Sequence, residues 1–154
     1  MKRETIDQLM ELALDEARAA EAHDDVPIGA VVARIETGEV IARRHNEREL
    51  TNDPTAHAEV LALRDASAQL GSWRLDDCAL VVTLEPCAMC AGALVNARIG
   101  LVAFGVDDPK AGAVGSRYQL LADPRLNHEC PVVHGVRAEE AGELLRSFFA
   151  SRRA

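Results

Sequence analysis

No stretch of this chain approaches 18 uninterrupted apolar residues, so no membrane-spanning helix is expected. Nor does a signal peptide open it. In "MKRETIDQLMELALDEARAAEAHDD" the apolar residues are interspersed with acids, and neither a separate apolar core nor a cleavage signal follows. These two absences predict a cytoplasmic protein. Low-complexity segments, internal repeats and domain linkers are also missing, and 154 residues suit one core, so residues 1–154 read as one domain. Cysteine is scarce: Cys78, Cys87, Cys90 and Cys130. A chain of this size without a secretory signal has little use for a disulfide framework, so a close pair points to metal or catalytic chemistry. Positive charge is in deficit. The net charge of −8 argues against nonspecific nucleic-acid binding. The last eleven residues, "LLRSFFASRRA", nevertheless carry Arg146, Arg152 and Arg153 and no acid, which leaves room for a local basic surface.

The hydrophobic pattern alternates between helical and strand periods. Ile6, Leu9, Met10, Ala13, Leu14 and Ala17 fall at helical spacing and predict a helix over 5–22. Strands are predicted at 28–35 and 40–45 around the turn 36–38, at 78–84, at 99–105 and, as a short edge strand containing Pro131, at 130–136. Helices are predicted at 57–70, stopped by Gly71, at 88–97, at 116–123 and at 138–152, with polar loops at 46–56 and 106–115. This alternation predicts a layered α/β domain whose sheet is mixed: an antiparallel hairpin, then strand–helix–strand units.

Two stretches carry chemistry. Cys87 and Cys90 lie three apart at the start of a predicted helix, which puts both sulfurs on one side of the first turn. The positive helix end favours their thiolates, the form that binds zinc. His57 offers a third ligand. Two thiolates and one imidazole form a set that leaves the fourth position for water, and this open corner separates catalytic zinc from structural zinc. Glu59 follows His57 by two residues, close enough to serve that water as a proton shuttle without binding the metal. One geometric demand accompanies the reading. Positions i and i+2 of a regular helix diverge by about 200°, so His57 must sit at the irregular edge of its helix.

His-x-Glu followed by Pro-Cys-x-x-Cys is the signature of the zinc deaminases. The resemblance extends over nearly the whole chain. "DVPIGAVV", "HNERE", "DPTAHAE", "LEPCAMCAGALVNARI", "FGVDDPKAGAVGS", "LNHE" and "FFASRR" are similar to bacterial tRNA-specific adenosine deaminases. That resemblance implies a three-layer α/β/α, cytidine-deaminase-like domain with a central sheet of about five strands, assembled as a homodimer with one Zn2+ per subunit. It implies conversion of the wobble adenosine in a tRNA anticodon loop, chiefly of an arginine tRNA, to inosine. By motif position His57, Cys87 and Cys90 would hold zinc and Glu59 would move protons. Asn46 would contact the flipped base, with backbone groups at Ala58 and Pro86 lining the pocket. The 106–112 loop and the C-terminal helix would meet the anticodon stem-loop through Asp108, Lys110, Phe149, Arg152 and Arg153. Asp108 would accept a ribose 2′-OH, and the basic groups would pair with phosphates.

Two other readings compete. A deaminase of a free base or nucleoside would share the zinc chemistry, but would have no evident need of the Asp-Pro-Lys loop or the Phe-Phe-x-x-Arg-Arg end. A non-catalytic zinc module would need a fourth protein ligand, with Cys78, Cys130 and His134 as the candidates.

Overall fold

The computed structural model describes residues 1–153, the last of them by its backbone alone. Helix α1 spans Arg3–Ala20 and ends in one 3-10 turn, Glu21–His23. Then come β1 (Gly29–Arg34), β2 (Val40–His45), a four-residue helix α2 (Arg48–Thr51), α3 (Ala58–Leu70), β3 (Cys78–Leu84), α4 (Ala88–Asn96), β4 (Leu101–Val106), β5 (Val132–Val133) and α5 (Ala138–Arg153). The strands form one sheet in the order β2-β1-β3-β4-β5. β1 is antiparallel to both β2 and β3, whereas β3, β4 and β5 run parallel. The first strand–helix–strand unit therefore skips a place. β2 and β3 point the same way with β1 between them, and α3 crosses over it.

The strand residues alternate between two buried faces. Val31, Ala33, Ala79, Val81, Leu101 and Ala103 meet Ile6, Leu9, Met10, Ala13 and Leu14 of α1 and Ala141 of α5. Ala30, Val32, Leu80, Val82, Val102 and Phe104 meet Ala58, Ala62, Leu63 and Ala66 of α3 and Leu94 and Val95 of α4. The result is the expected three-layer sandwich with a five-stranded mixed sheet. Gly29 lets α1 approach closely: a Cβ there would strike the carbonyl of Ala13 and stand 2.7 Å from the Ala17 nitrogen.

The sequence pattern misplaces three elements. Residues 116–123 are turns rather than a helix. Their backbone folds back instead, with Arg117 N–H donating to Gly112, Gly115 N–H to Tyr118 and Leu120 N–H to Ala113. The edge strand shrinks from 130–136 to Val132–Val133. The polar loop 46–56 contains α2, whose own N-cap, Glu47, makes no side-chain cap bond. Its cap comes from afar. The buried Asp25 carboxylate accepts the N–H groups of Glu49 at 2.9 Å and Leu50 at 3.2 Å, and meets His23 Nδ1 at 2.6 Å.

Burial alone would raise the Asp25 pKa, but the bonds from Glu49, His23 and Leu50 outweigh it and hold the carboxyl below its ordinary value. A depressed native pKa stabilises the fold fully above the ordinary aspartate range, and that contribution is lost as pH falls through the lowered native value. Asp25→Asn is therefore expected to lower the unfolding free energy at pH 7 by about 1–3 kcal/mol. The deficit should shrink on acidification. Urea titrations at pH 7 and in acid check this, and a pH-independent difference would contradict it.

Candidate active site

The carboxyl ends of β2, β3 and β4 lead into the segments that form the site, the edge where open α/β sheets place their ligands. Two helices begin there, each from an extended N-cap residue: His57 (φ −79°, ψ 148°) before α3 and Cys87 (φ −75°, ψ 177°) before α4. Neither side chain caps its own helix. They turn toward each other instead. His57 Nδ1 lies 3.6 Å from Cys87 Sγ and 3.5 Å from Cys90 Sγ. Because His57 precedes the helix, the angular conflict with Glu59 disappears.

These spacings fit a metal. Bond lengths of about 2.3 Å to sulfur and 2.0–2.1 Å to nitrogen, at tetrahedral angles, would separate S and N by about 3.6 Å. The three ligand atoms all lie within 4.8 Å of one another, and among the described residues no other His, Cys, Asp or Glu joins the group. Cys78 is instead buried in the sheet, Cys130 is half-buried against the core, and His134 packs on Phe104.

The electrostatics suit the same purpose. The Cys90 thiol, with His57 assisting, holds Cys87 down to about 4 against the opposing effect of burial. Cys90 is pushed up, first by its bond to Cys87 and then by burial. The hydrogen bond to Cys87 raises His57. Zinc binds thiolates, so an entering cation would displace the thiol protons. Glu59 lies in the first turn of α3, buried beside Cys90, outside the ligand group. Burial pushes its carboxyl up to about 7, the range in which a group both takes and gives protons.

His57, Glu59 and Cys87 open into a pocket of about 170 Å³ walled by Asn46, Arg48, Leu84, Asp108 and Ala111. That is well below the roughly 300–1,000 Å³ of pockets for drug-sized ligands, so one ring system is the natural occupant. A wider groove of about 830 Å³ between Arg18 and Glu139 holds no His, Cys or Asp on its lining.

The remaining sequence-derived residues divide. Asn46 is on the pocket wall, yet its carbonyl accepts Ala58 N–H at 2.9 Å and its amide donates to the Val26 carbonyl at 3.2 Å. One N–H and one lone pair remain for a ligand. Ala58 and Pro86 are buried behind the wall, their nearest backbone groups engaged with Asn46 and with Ala113 N–H. Asp108 Oδ1 accepts the N–H groups of Lys110 and Ala111, which leaves the other oxygen without an internal bond among those described. Lys110, Arg146, Phe149 and Arg152 line a shallow groove of about 460 Å³ next to the pocket. Phe149 is exposed there, while Phe148 is in the core. Arg152 is 2.6 Å from Asp24 and stacks 3.6 Å over Phe148. The Arg153 side chain lies outside the described residues.

The sequence reading missed Asp25 and Glu85. Glu85 is 2% exposed, and Asp108, Val114 and Ser116 all donate to its carboxylate. Ser116, Asp108 and Val114 hold it below its ordinary value although burial acts the other way. Its place between a strand and Pro-Cys was visible, but its partners lie more than twenty residues away.

The MafB19-like deaminase profile matches residues 4–153. A tRNA-specific adenosine deaminase of Bacillus subtilis (strain 168) is 49% identical over 150 residues, covering 97% of this chain and 92% of that protein. A solved tRNA:A34 deaminase, which edits A to I at the wobble position of transfer RNA, superposes with a TM-score of 0.85 at 46% identity, covering 90% of this chain and 99% of the other. The guanine deaminase of Nitrosomonas europaea shares the fold at 27% identity and a TM-score of 0.78, covering 94% and 84%. With a His/Cys/Cys group spaced to hold a metal, a buried carboxylate beside it and these likenesses along nearly its full length, the chain belongs to the MafB19-like deaminase family and to the tRNA-specific adenosine deaminases.

Proposed function

We propose that residues 1–154 act as one zinc-dependent deaminase domain that converts the wobble adenosine of a tRNA, chiefly an arginine tRNA, to inosine in the cytoplasm. The observation that carries the chemistry is the approach of His57 to both Cys87 and Cys90, beside a buried Glu59. These three residues would hold one zinc per chain. When bound, zinc lowers the pKa of a water toward neutrality. Glu59 accepts one proton from the attacking water and delivers it to the ring nitrogen, then carries the second, from the new C6 hydroxyl, to the departing amine. One water is taken up and one ammonia leaves. Asn46 meets the base edge with its remaining donor and acceptor, and Asp108 takes the ribose hydroxyl. A loop nucleotide is a good substrate because it is cheaper to extrude than a paired one.

The basic groove supports RNA rather than a free base. Lys110 belongs to the groove and Ala111 to the pocket, so one loop forms a wall of each. A phosphate would replace the Asp24 carboxylate on Arg152, and the exposed Phe149 ring offers a stacking surface. A partner of the same chain is the second part of the reading. Val60, Leu63, Trp73 and Ala93 line an apolar hollow on the outer side of α3 and α4, with Trp73 61% exposed. A second copy covering it would brace the two helices whose first residues carry the ligands.

Three outcomes are expected. Glu59→Gln should keep about one zinc per chain and lose inosine formation by at least about a thousandfold on an anticodon stem-loop, as read by zinc analysis and inosine mapping. This is larger than the factor of about 10²–10⁴ typical of general acid–base catalysis only at its low end. Turnover of free guanine or cytidine with an inert stem-loop would favour the free-base alternative instead. Arg152→Ala should raise KM for the stem-loop several-fold and flatten its salt dependence, with kcat little changed. Sedimentation should give twice the 16.6 kDa chain mass, and Trp73→Glu should give the chain mass alone. A monomeric wild-type protein would remove the dimer.

A further inference from the structure

We propose that Glu85 is a positioning residue that sets the nucleotide-facing loop 107–116 in register with the metal ligands, and so determines how tightly the RNA substrate is held. The proposal rests on the deaminase reading above. Glu85 Oε1 accepts Asp108 N–H at 3.0 Å and the Ser116 hydroxyl, and Oε2 accepts the N–H groups of Val114 and Ser116, each at 3.0 Å. Four donors occupy the roughly four acceptor sites of one carboxylate. No site remains for a substrate proton, so Glu85 does not share the work of Glu59.

The backbone on either side of Glu85 joins the same loop. Glu85 N–H donates to the Val106 carbonyl at 2.9 Å, Ala113 N–H donates to the Pro86 carbonyl at 2.8 Å, and Cys87 pairs with Gly112 in an isolated antiparallel bridge. Only Pro86 separates Glu85 from Cys87, and the loop that Glu85 gathers presents Asp108 and Ala111 to the pocket and Lys110 to the groove. Gly112 is part of the arrangement, because a Cβ there would collide with the Glu85 carboxylate. A loop of this kind, without helix or strand, has its inward N–H groups satisfied by a side chain in place of a ladder. Without that anion, three N–H groups and the Ser116 hydroxyl would lose their partner and the loop would shift, moving Asp108 and Lys110 away from ribose and phosphate.

The test compares Glu85→Gln with wild type in the zinc-loaded protein. Gln keeps the shape but places an NH2 against N–H donors. The expected result is about one zinc per chain, a KM for the anticodon stem-loop raised at least about tenfold, kcat changed by less than about threefold, and faster amide exchange at 107–116 with α3 exchange unchanged. Ser116→Ala removes one exposed donor from the same carboxylate and should move KM and loop exchange in the same direction by a smaller factor, which serves if Glu85→Gln fails to fold. Zinc loss with undisturbed loop exchange would overturn the proposal, as would unchanged KM and exchange in both variants. If wild-type protein is inert on the stem-loop, the function proposed above fails, while loop exchange still decides whether Glu85 organises the loop: unaltered exchange refutes that, and faster exchange upholds it.

Discussion

Everything chemical in this protein depends on two helices starting at the same point from residues that are not helical. An N-cap residue has an extended backbone, so its side chain is free to leave the direction imposed by the helix that follows. His57 and Cys87 both use this freedom to turn away from their own helices and toward each other. The helix ends supply positive potential where thiolates must exist. Cys90, one turn into α4, and Glu59, in the first turn of α3, are then carried into place by regular helical geometry.

Three buried carboxylates surround this point, and their environments divide the labour among them. Asp25 and Glu85 both accept backbone N–H groups, which hold them below their ordinary values, and each ties down irregular chain at the pocket. Glu59 is buried too, but it has only its own N–H group as a backbone donor, so burial governs it and pushes its pKa up to about 7. One chemical group, the carboxyl, thus sits in two kinds of environment, and the supply of hydrogen-bond donors decides which way its pKa moves.

Much of this was legible in the chain itself. The period of Ile6, Leu9, Met10, Ala13 and Leu14 marks α1, and the apolar run 78–84 marks the central strand β3. The ligand triad and Glu59 follow from motif chemistry, and the family resemblance gave the three layers. What escaped was irregular structure. Residues 116–123 carry a helical composition, but Val114 and Ser116 give their N–H groups to Glu85, and the chain turns there. α2 is a helix of one turn, too short to form by itself, and its cap comes from the Asp25 carboxylate, 24 positions before Glu49.

The order of residues already set which groups are available: two thiols, an imidazole and a carboxyl at spacings that helices can bring to one side, and a periodicity that packs helices on both faces of a sheet. Their meeting, the place of β1 between β2 and β3, and the N–H partners of Asp25 and Glu85 came only with the fold. The difference is one of range. Periodicity and capping act over a few residues, whereas a buried carboxylate finds its donors wherever the fold brings unpaired N–H groups within about 3 Å.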